Sequence, residues 1–381
     1  MGISLSFLRF SVILLIITAS LLGKANGIDG WNYKENADRS SLYFWEFKYF
    51  NFDDPTSRLK GNISFFVVSP QQFNLMGVSV HLYRDGNLYS YQKTFSLRCA
   101  LADTNSPSLK LCHNGGIRRL ENGDLQISLN TNKLSFSLRY HPEFTNDKIY
   151  FCPLNGKLLG KQAWMSWRPL FLQATVDGQL TLLDKNNFSQ TFAMNSARGY
   201  HDQNWGIWKP SVHPYRWLHF AAKDQGGHNI QILLGDFFNT KDSEALKTIL
   251  IIDRDGEKRT YTNDQVEVNE TSRSRFPVTR FGIFDNDTMK QGIVGKIGDQ
   301  NQSQYKHSAP SSITIKTKDG SVDLTIETAI NDSTGAKFPV SLLMGDFYIN
   351  EQIVKTKGLL KFADMPPILV EGSGEAQFVG K

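Results

Sequence analysis

Residues 77–97 read Gly-Val-Ser-Val-His-Leu-Tyr-Arg-Asp-Gly-Asn-Leu-Tyr-Ser-Tyr-Gln-Lys-Thr-Phe-Ser-Leu. Val78, Val80 and Leu82 alternate with Ser79 and His81, a period of two that puts apolar side chains on one face of an extended chain. Asp85-Gly86-Asn87 supplies residues that tolerate a tight turn, and a second β-rich run follows from Leu88 to Leu97. The stretch is therefore read as a hairpin. The same grammar extends in both directions. Strands are expected over residues 43–51, 61–68, 77–83, 88–97, 124–129, 133–140 and 171–183. Further ones are expected over 190–195, 216–223, 229–238, 246–253, 265–269, 312–317, 321–330, 340–349 and 375–379. Tight turns are marked by Asn122-Gly123-Asp124, Asp177-Gly178, Asp255-Gly256 and Asp319-Gly320. Helical periodicity is confined to a turn or two near 242–247. The fold class is all-β, built as antiparallel sandwiches or barrels.

So many strands exceed what one small closed barrel uses, and two β-domains are expected. The break falls in Lys209-Pro-Ser-Val-His-Pro214, giving an N-terminal domain over 28–212 and a C-terminal domain over 213–381. Ile232-Leu-Leu-Gly-Asp-Phe-Phe-Asn239 resembles the stretch from Leu342 to Tyr348. The offset does not match the interval between halves, so the two are read as similar strand ends.

The chain of 381 residues is 40% hydrophobic, 12% aromatic and 21% charged, with a formal net charge of +5. That is an ordinary globular composition able to bury a large core. It excludes a disordered chain and a multi-pass membrane protein. Lys and Arg are scattered, and the run from Arg254 to Arg259 is interleaved with Asp255 and Glu257, so nucleic acid is not an expected partner.

At the N-terminus, Arg9 precedes an apolar run from Phe10 to Leu22, and small residues stand before a cut after Gly27. The run suits a signal peptide and is too short to span a bilayer comfortably. Residues 1–27 are read as a removable signal, the mature protein as secreted or periplasmic with no stable membrane anchor. Cys99 and Cys112 flank a polar loop and are the candidate disulfide; Cys152 is left as a buried free thiol. Sequons stand at Asn62, Asn187, Asn269, Asn286, Asn301 and Asn331.

Most catalytic signatures are absent. The sequence has no Gly-x-Ser-x-Gly elbow, no phosphate-binding Gly-rich loop, no dinucleotide fingerprint and no His-Glu-x-x-His. No histidine spacing suggests a metal site, and neither metal nor cofactor is expected. One segment stands apart: Gly199-Tyr-His-Asp-Gln-Asn-Trp-Gly206. As a strand it would place Tyr200, Asp202 and Asn204 on one face and His201, Gln203 and Trp205 on the other; as a loop its polar groups would simply be hydrated. Trp164, Trp167, Trp208, Tyr215, Trp217 and Phe220 crowd around it. Tryptophan at this density points to a core or to an aromatic-walled cavity for a hydrophobic small molecule.

The segment from Gly199 to Gly206 resembles the central motif of the AttH/CrtC family, which includes carotenoid 1,2-hydratase and the fungal Diels–Alderases. Supporting similarity lies in Glu46-Phe47-Lys48-Tyr49-Phe50, in Arg216-Trp217-Leu218-His219-Phe220 followed by 229–234, and in the tail from Gly372 to Gly380, where Glu375 is displaced from the family's position. Phe47 and Lys48 stand where the family often has two tryptophans, which would alter the pocket wall and bring a charge near it. The resemblance implies two packed lipocalin-like β-barrels, a hydrophobic ligand near their interface, and cofactor-free chemistry. That chemistry is addition of water to an isoprenoid double bond or folding of a polyene for cycloaddition.

For hydration, Asp202 is the candidate acid, since burial raises a carboxyl pKa, and His201 or Tyr200 would orient the water or the acid. Trp205, with Trp217 and Trp45, would stabilise developing positive charge through a π face. For cycloaddition, Tyr200, His201 or Asn204 would hydrogen-bond an activating carbonyl. Glu46 and His219 are further candidate substrate-binding residues. Two other readings stay open: a non-catalytic carrier or sensor of a hydrophobic ligand, and a secreted carbohydrate-binding module or glycosidase, for which exposed tryptophan platforms would be the sign.

Overall fold

The computed structural model describes residues 29–34, 40–69, 71, 75–85, 87–183, 189–209, 211–238, 245–280, 288–293, 306–340, 345–362 and 365–380. The signal segment 1–27 and the sequons at Asn187, Asn286 and Asn301 lie outside them. What is described is almost entirely strand, in two curled sheets.

The first sheet opens with β1 (Phe44–Asp54), β2 (Leu59–Val68), β3 (Leu75–Arg84) and β4 (Asn87–Ser96). Short β5 (Ala100–Ala102), β6 (Leu109–Leu111) and β7 (Gly115–Arg119) follow, then β8 (Leu125–Asn130), β9 (Leu134–Thr145) and β10 (Tyr150–Leu158). Two long strands complete it, β11 (Lys161–Leu183) and β12 (Ser189–Ile207). The second sheet comprises β13 (Tyr215–Lys223), β14 (Asn229–Phe238), β15 (Ala245–Arg254), β16 (Glu257–Thr262) and β17 (Val266–Arg280). After β18 (Thr288–Ile293), which leaves it, come β19 (Lys306–Thr317), β20 (Val322–Val340), β21 (Gly345–Leu360) and β22 (Ile368–Gly380).

In the first sheet the order is β18-β4-β3-β2-β1-β12-β11-β9-β8-β7-β6-β5, with β10 on β11. Strand β18 thus crosses from the second half of the chain and pairs antiparallel with β4, covering what would otherwise be an open edge. The second sheet runs β16-β15-β14-β13-β22-β21-β20-β17-β19, so the C-terminal strand is placed at its middle. All pairings are antiparallel except the short contact of Val278–Arg280 with β20.

Several expectations change. Segments 190–195 and 199–206 are not separate: both lie in β12, and the motif is strand, not a hydrated loop. The run 171–183 is the second part of the longer β11, in which Pro169 sits beside a β-bulge that accommodates a residue lacking an N–H. The weak helical signal near 242–247 gives way to strand from Ala245; residues 242–244 lie outside the description.

Three cores follow from the alternation. Phe50, Phe52, Ile63, Phe65, Val78, Val80 and Leu138 fill the first curled sheet. Phe220, Ile232, Leu250, Ile315 and Leu324 fill the second. A third cluster takes Trp45, Cys152, Trp167, Tyr200 and Trp208 from the first sheet and Trp217, Leu233, Phe237 and Val379 from the second, so the sheets pack face to face on a largely aromatic layer. Cys99 and Cys112 form a disulfide with a Cα–Cα distance of 4.9 Å. Cys152 is free and buried, and burial pushes its thiol up to about 12, so it is held as an inert thiol.

Candidate active site

Strand β12 lies between β1 and β11, which places the central motif in the middle of the first sheet. Its two terminal glycines answer to close approach and not to turns. A Cβ on Gly199 would stand 2.4 Å from Val176 and 2.8 Å from the Tyr140 ring, and one on Gly206 would stand 2.3 Å from the Trp164 carbonyl oxygen.

Between the sheets lies a cavity walled by Trp45, Phe47, Tyr49, Phe66, Met165, Trp167, Trp208, Tyr215, Trp217, Phe237 and Val379. Polar groups in the wall are Asn62, Ser64, Ser79, His81, Gln92, Asp202, Asn204 and Gln377. Asp202 is 2% exposed. Its Oδ2 accepts hydrogen bonds from Trp167 Nε1 and from Tyr200 Oη, each at 2.8 Å, and its Oδ1 accepts one from Asn204 Nδ2 at 3.0 Å. Burial pushes the carboxyl up to about 6 against the opposing pull of these donors. The same burial, with the neighbouring Asp202 charge, raises the Tyr200 phenol well above its usual value and keeps it a donor. A carboxyl poised near neutrality, with Oδ1 accepting from Asn204 alone among the described residues, can hold a proton and return it.

The Trp167 indole reaches Asp202 because of a glycine on the facing sheet. A Cβ on Gly235 would stand 2.6 Å from Trp167 Cζ3, so only a residue without a side chain lets the ring seat between the sheets. This gives a structural meaning to the Gly-Asp pair in the segment 232–239. Asp236, next to it, accepts from Arg216 and Thr248.

Extended backbone divides the motif. Tyr200, Asp202 and Asn204 face the inter-sheet layer. His201, Gln203 and Trp205 face the interior of the first sheet, and none of them lines the cavity. His201, expected beside Asp202 as an orienting group, instead stacks on Phe50 at 3.9 Å between centroids, with Nδ1 2.9 Å from the Tyr49 carbonyl and Nε2 3.1 Å from Asp29 Oδ2. Lys48, the residue expected to bring charge to the pocket, is fully buried on that same far side, paired with Asp29 and lying over Trp31. Burial pushes the Asp29 carboxyl up, but Lys48 and His201 outweigh it and hold the group at about 2. Glu46 also points away from the cavity, accepting from the backbone N–H groups of Asn32 and Tyr33 and from Gln203 Nε2. These groups anchor the segment from Asp29 to Tyr33 within the first sheet.

Trp45 and Trp217 line the cavity as expected residues, and Phe47 stacks on Trp45 at 5.5 Å. His219 sits behind Tyr200, stacked at 4.5 Å, with Nε2 near the Leu172 carbonyl and Gln231 Oε1. Burial holds its pKa down at about 4, so it is a neutral support. Glu375, displaced in sequence, crosses to the first sheet and accepts from Tyr49 Oη and Asn51 Nδ2 at 3.1 and 3.2 Å. Asn62 is 3% exposed in the cavity wall, so its sequon is closed to a glycan in the folded chain.

Six of the seven tryptophans are buried, and the seventh, Trp164, is half-buried and stacks on the exposed Phe151 at 6.0 Å between centroids. No helix among the described residues is long and apolar enough to cross a membrane.

The same architecture recurs in solved structures of low identity. A protein described as AttH from Nitrosomonas europaea aligns over 94% of this chain and 97% of its own, with a TM-score of 0.56 at 16% identity. CghA aligns over 89% of this chain and 88% of its own, with a TM-score of 0.51 at 13% identity. CghA with Sch210972 gives 0.50 at 12% identity over 89% of each chain. No family model and no curated protein sequence matches the chain. At these identities the likeness concerns architecture, and in that respect the chain has the two-sheet fold of the AttH and CghA structures, the one its central motif resembles.

Proposed function

We propose that this protein is an exported, cofactor-independent enzyme that binds an apolar unsaturated small molecule between its two sheets and uses Asp202 as a proton donor. The observation that carries the reading is the Asp202 carboxyl: buried, held by Trp167, Tyr200 and Asn204, and poised near neutrality in the wall of an aromatic cavity. In the hydratase form of the reaction, Asp202 gives its proton to one alkene carbon. The adjacent carbon becomes cationic and is stabilised by the facing aromatic rings, at about 2 kcal/mol for a desolvated cation–π contact. Water adds to that carbon and its proton returns to the Asp202 carboxylate, so the acid is regenerated and no other reactant is consumed. Tyr200 and Trp167 fix the carboxylate without competing for its Oδ1. Export fits the Cys99–Cys112 disulfide, since such bonds persist in oxidising compartments.

The test is native mass spectrometry with organic extraction of protein purified from its source, comparing wild type with Asp202→Asn. The Asn variant is expected to retain an apolar unsaturated compound that the wild type turns over. The same compound in equal amount in both would instead identify a carrier. Absence of any apolar compound, with retention on an immobilised glycan, would return the sugar-binding reading.

A further inference from the structure

The register across the first sheet aligns Asp202 with Tyr49, Tyr49 with Ser64, Ser64 with Ser79, and Ser79 with Gln92. These five side chains form one row on the cavity face of β12, β1, β2, β3 and β4, and all five line the cavity. With strands about 4.8 Å apart, Ser64 lies about 10 Å from Asp202 along the sheet and Gln92 about 19 Å. The row begins with the acid, passes an aromatic ring, and ends in neutral hydrogen-bonding groups. The neighbouring row adds Asn62 opposite His81, with Ser79 Oγ 3.2 Å from His81 Nε2.

Polar side chains in such a place need a reason. Gln92 is 2% exposed, Asn62 3% and His81 6%, in a wall whose apolar part is Trp, Phe, Tyr, Met and Val. A purely hydrocarbon ligand would match none of these polar groups, whereas a hydroxyl or carbonyl oxygen would meet donors and acceptors in the wall. Among the described residues, none that lines the cavity is a Lys or Arg. An anionic ligand would therefore meet no countercharge there and would share the cavity with the Asp202 carboxyl.

We propose that Ser79 and Gln92, with Asn62 and His81 beside them, form a recognition subsite for a neutral oxygen-bearing end of the substrate, a hydroxyl or carbonyl, while its double bond is held at Asp202. The substrate class is then an elongated unsaturated molecule, apolar in its middle and oxygenated but uncharged at one end. This rests on the cavity being the site of an apolar ligand, and it adds to that reading the polarity, charge and orientation of the ligand.

Quenching of intrinsic tryptophan fluorescence tests it, since Trp45, Trp167, Trp208 and Trp217 all line the cavity. The probes are farnesene, farnesol and farnesoate, which share a chain and differ in the terminal group. Wild-type protein is expected to bind farnesol roughly fivefold to tenfold more tightly than farnesene, the effect of one or two net hydrogen bonds, and farnesoate more weakly than farnesol. In Gln92→Leu and Ser79→Ala that ratio is expected to fall toward one while farnesene affinity stays within about twofold, which also reports that the cavity is intact. Equal binding of farnesol and farnesene by the wild type would overturn the subsite and leave the apolar cavity standing. Preference for farnesoate would overturn its neutrality. An unchanged ratio in both variants would remove the assignment to Ser79 and Gln92. Failure of all three probes to quench would overturn the apolar-ligand reading together with the subsite.

Discussion

Replacing Asp202 by Asn should make the protein more stable as the pH rises, relative to wild type. In the folded chain burial pushes this carboxyl from 3.8 up to about 6. A carboxylic acid whose folded pKa is raised binds its proton more tightly in the native state, so its favourable contribution is full below pH 3.8 and is lost as pH rises through about 6. Two pKa units at 1.36 kcal/mol each correspond to about 3 kcal/mol of stability lost between pH 4 and pH 8. Asn cannot ionise and has no such loss. In wild type alone the effect is masked, because His219 is displaced the other way. Its pKa falls from 6.5 to about 4, so it contributes stability above pH 6.5 that is lost as pH falls toward 4, again about 3 kcal/mol. The informative quantity is therefore the difference between the two proteins. Urea denaturation at pH 4, 5, 6, 7 and 8 gives it directly, and the Asn variant is expected to gain about 2–3 kcal/mol on wild type across the series, most of it between pH 4 and 6. A difference that stays constant with pH would refute the argument that burial has raised this carboxyl, and with it the case for Asp202 as an acid at neutral pH.

His219→Gln should remove the opposing loss, so that the variant holds its stability between pH 6.5 and 4 while wild type weakens; parallel curves in the same denaturation series would count against a buried neutral imidazole. Lys48→Met leaves the Asp29 carboxylate buried beside His201 alone and should cost about 3–5 kcal/mol, the usual result of removing one member of a buried pair, whereas a loss below 1 kcal/mol in urea denaturation would show the pair to be solvated. Gly235→Val drives a side chain into the Trp167 ring and should destabilise by about 1–3 kcal/mol while shifting the tryptophan emission maximum; an unchanged spectrum would mean that the ring does not seat there. Reduction of Cys99–Cys112, which closes a short loop, should cost about 3 kcal/mol by thermal unfolding with and without reductant.

The fold class was legible because it depends on local order. Alternation such as Val78, Val80, Leu82 and turns such as Asp85-Gly86-Asn87 are properties of adjacent residues, and they hold wherever the strand is placed. The division of the central motif was legible for the same reason. Once Tyr200 to Trp205 is extended, Tyr200, Asp202 and Asn204 must share a face, and His201 must leave it. What the sequence did not contain was whether that segment is extended, nor which face looks into a cavity and which into a filled interior. Both are decided by the strands pairing with β12 on either side and by the second sheet packing over one face. His201 and Lys48 look like site chemistry when read along the chain, and they become an internal anchor only because Asp29, 19 residues from Lys48 and 172 from His201, is buried between them.

Trp167, Gly235, Glu375 and the row from Ser64 to Gln92 were missed as site residues for a related reason. Each is defined by register or by contact between sheets, over separations of up to hundreds of residues: Trp167, for example, comes beside the motif only because β11 pairs with β12 and sets it opposite Asn204. The sequence by itself determined that this chain forms antiparallel strands, that its motif carries an acid flanked by donors, and that its aromatics are too dense to be solvated. Only the tertiary structure decided that the acid is buried in a cavity wall and poised near neutrality. A carboxyl's proton affinity is set by the dielectric and the donors around it, and those come from β11, from the opposing sheet, and from residues that no local pattern connects to it.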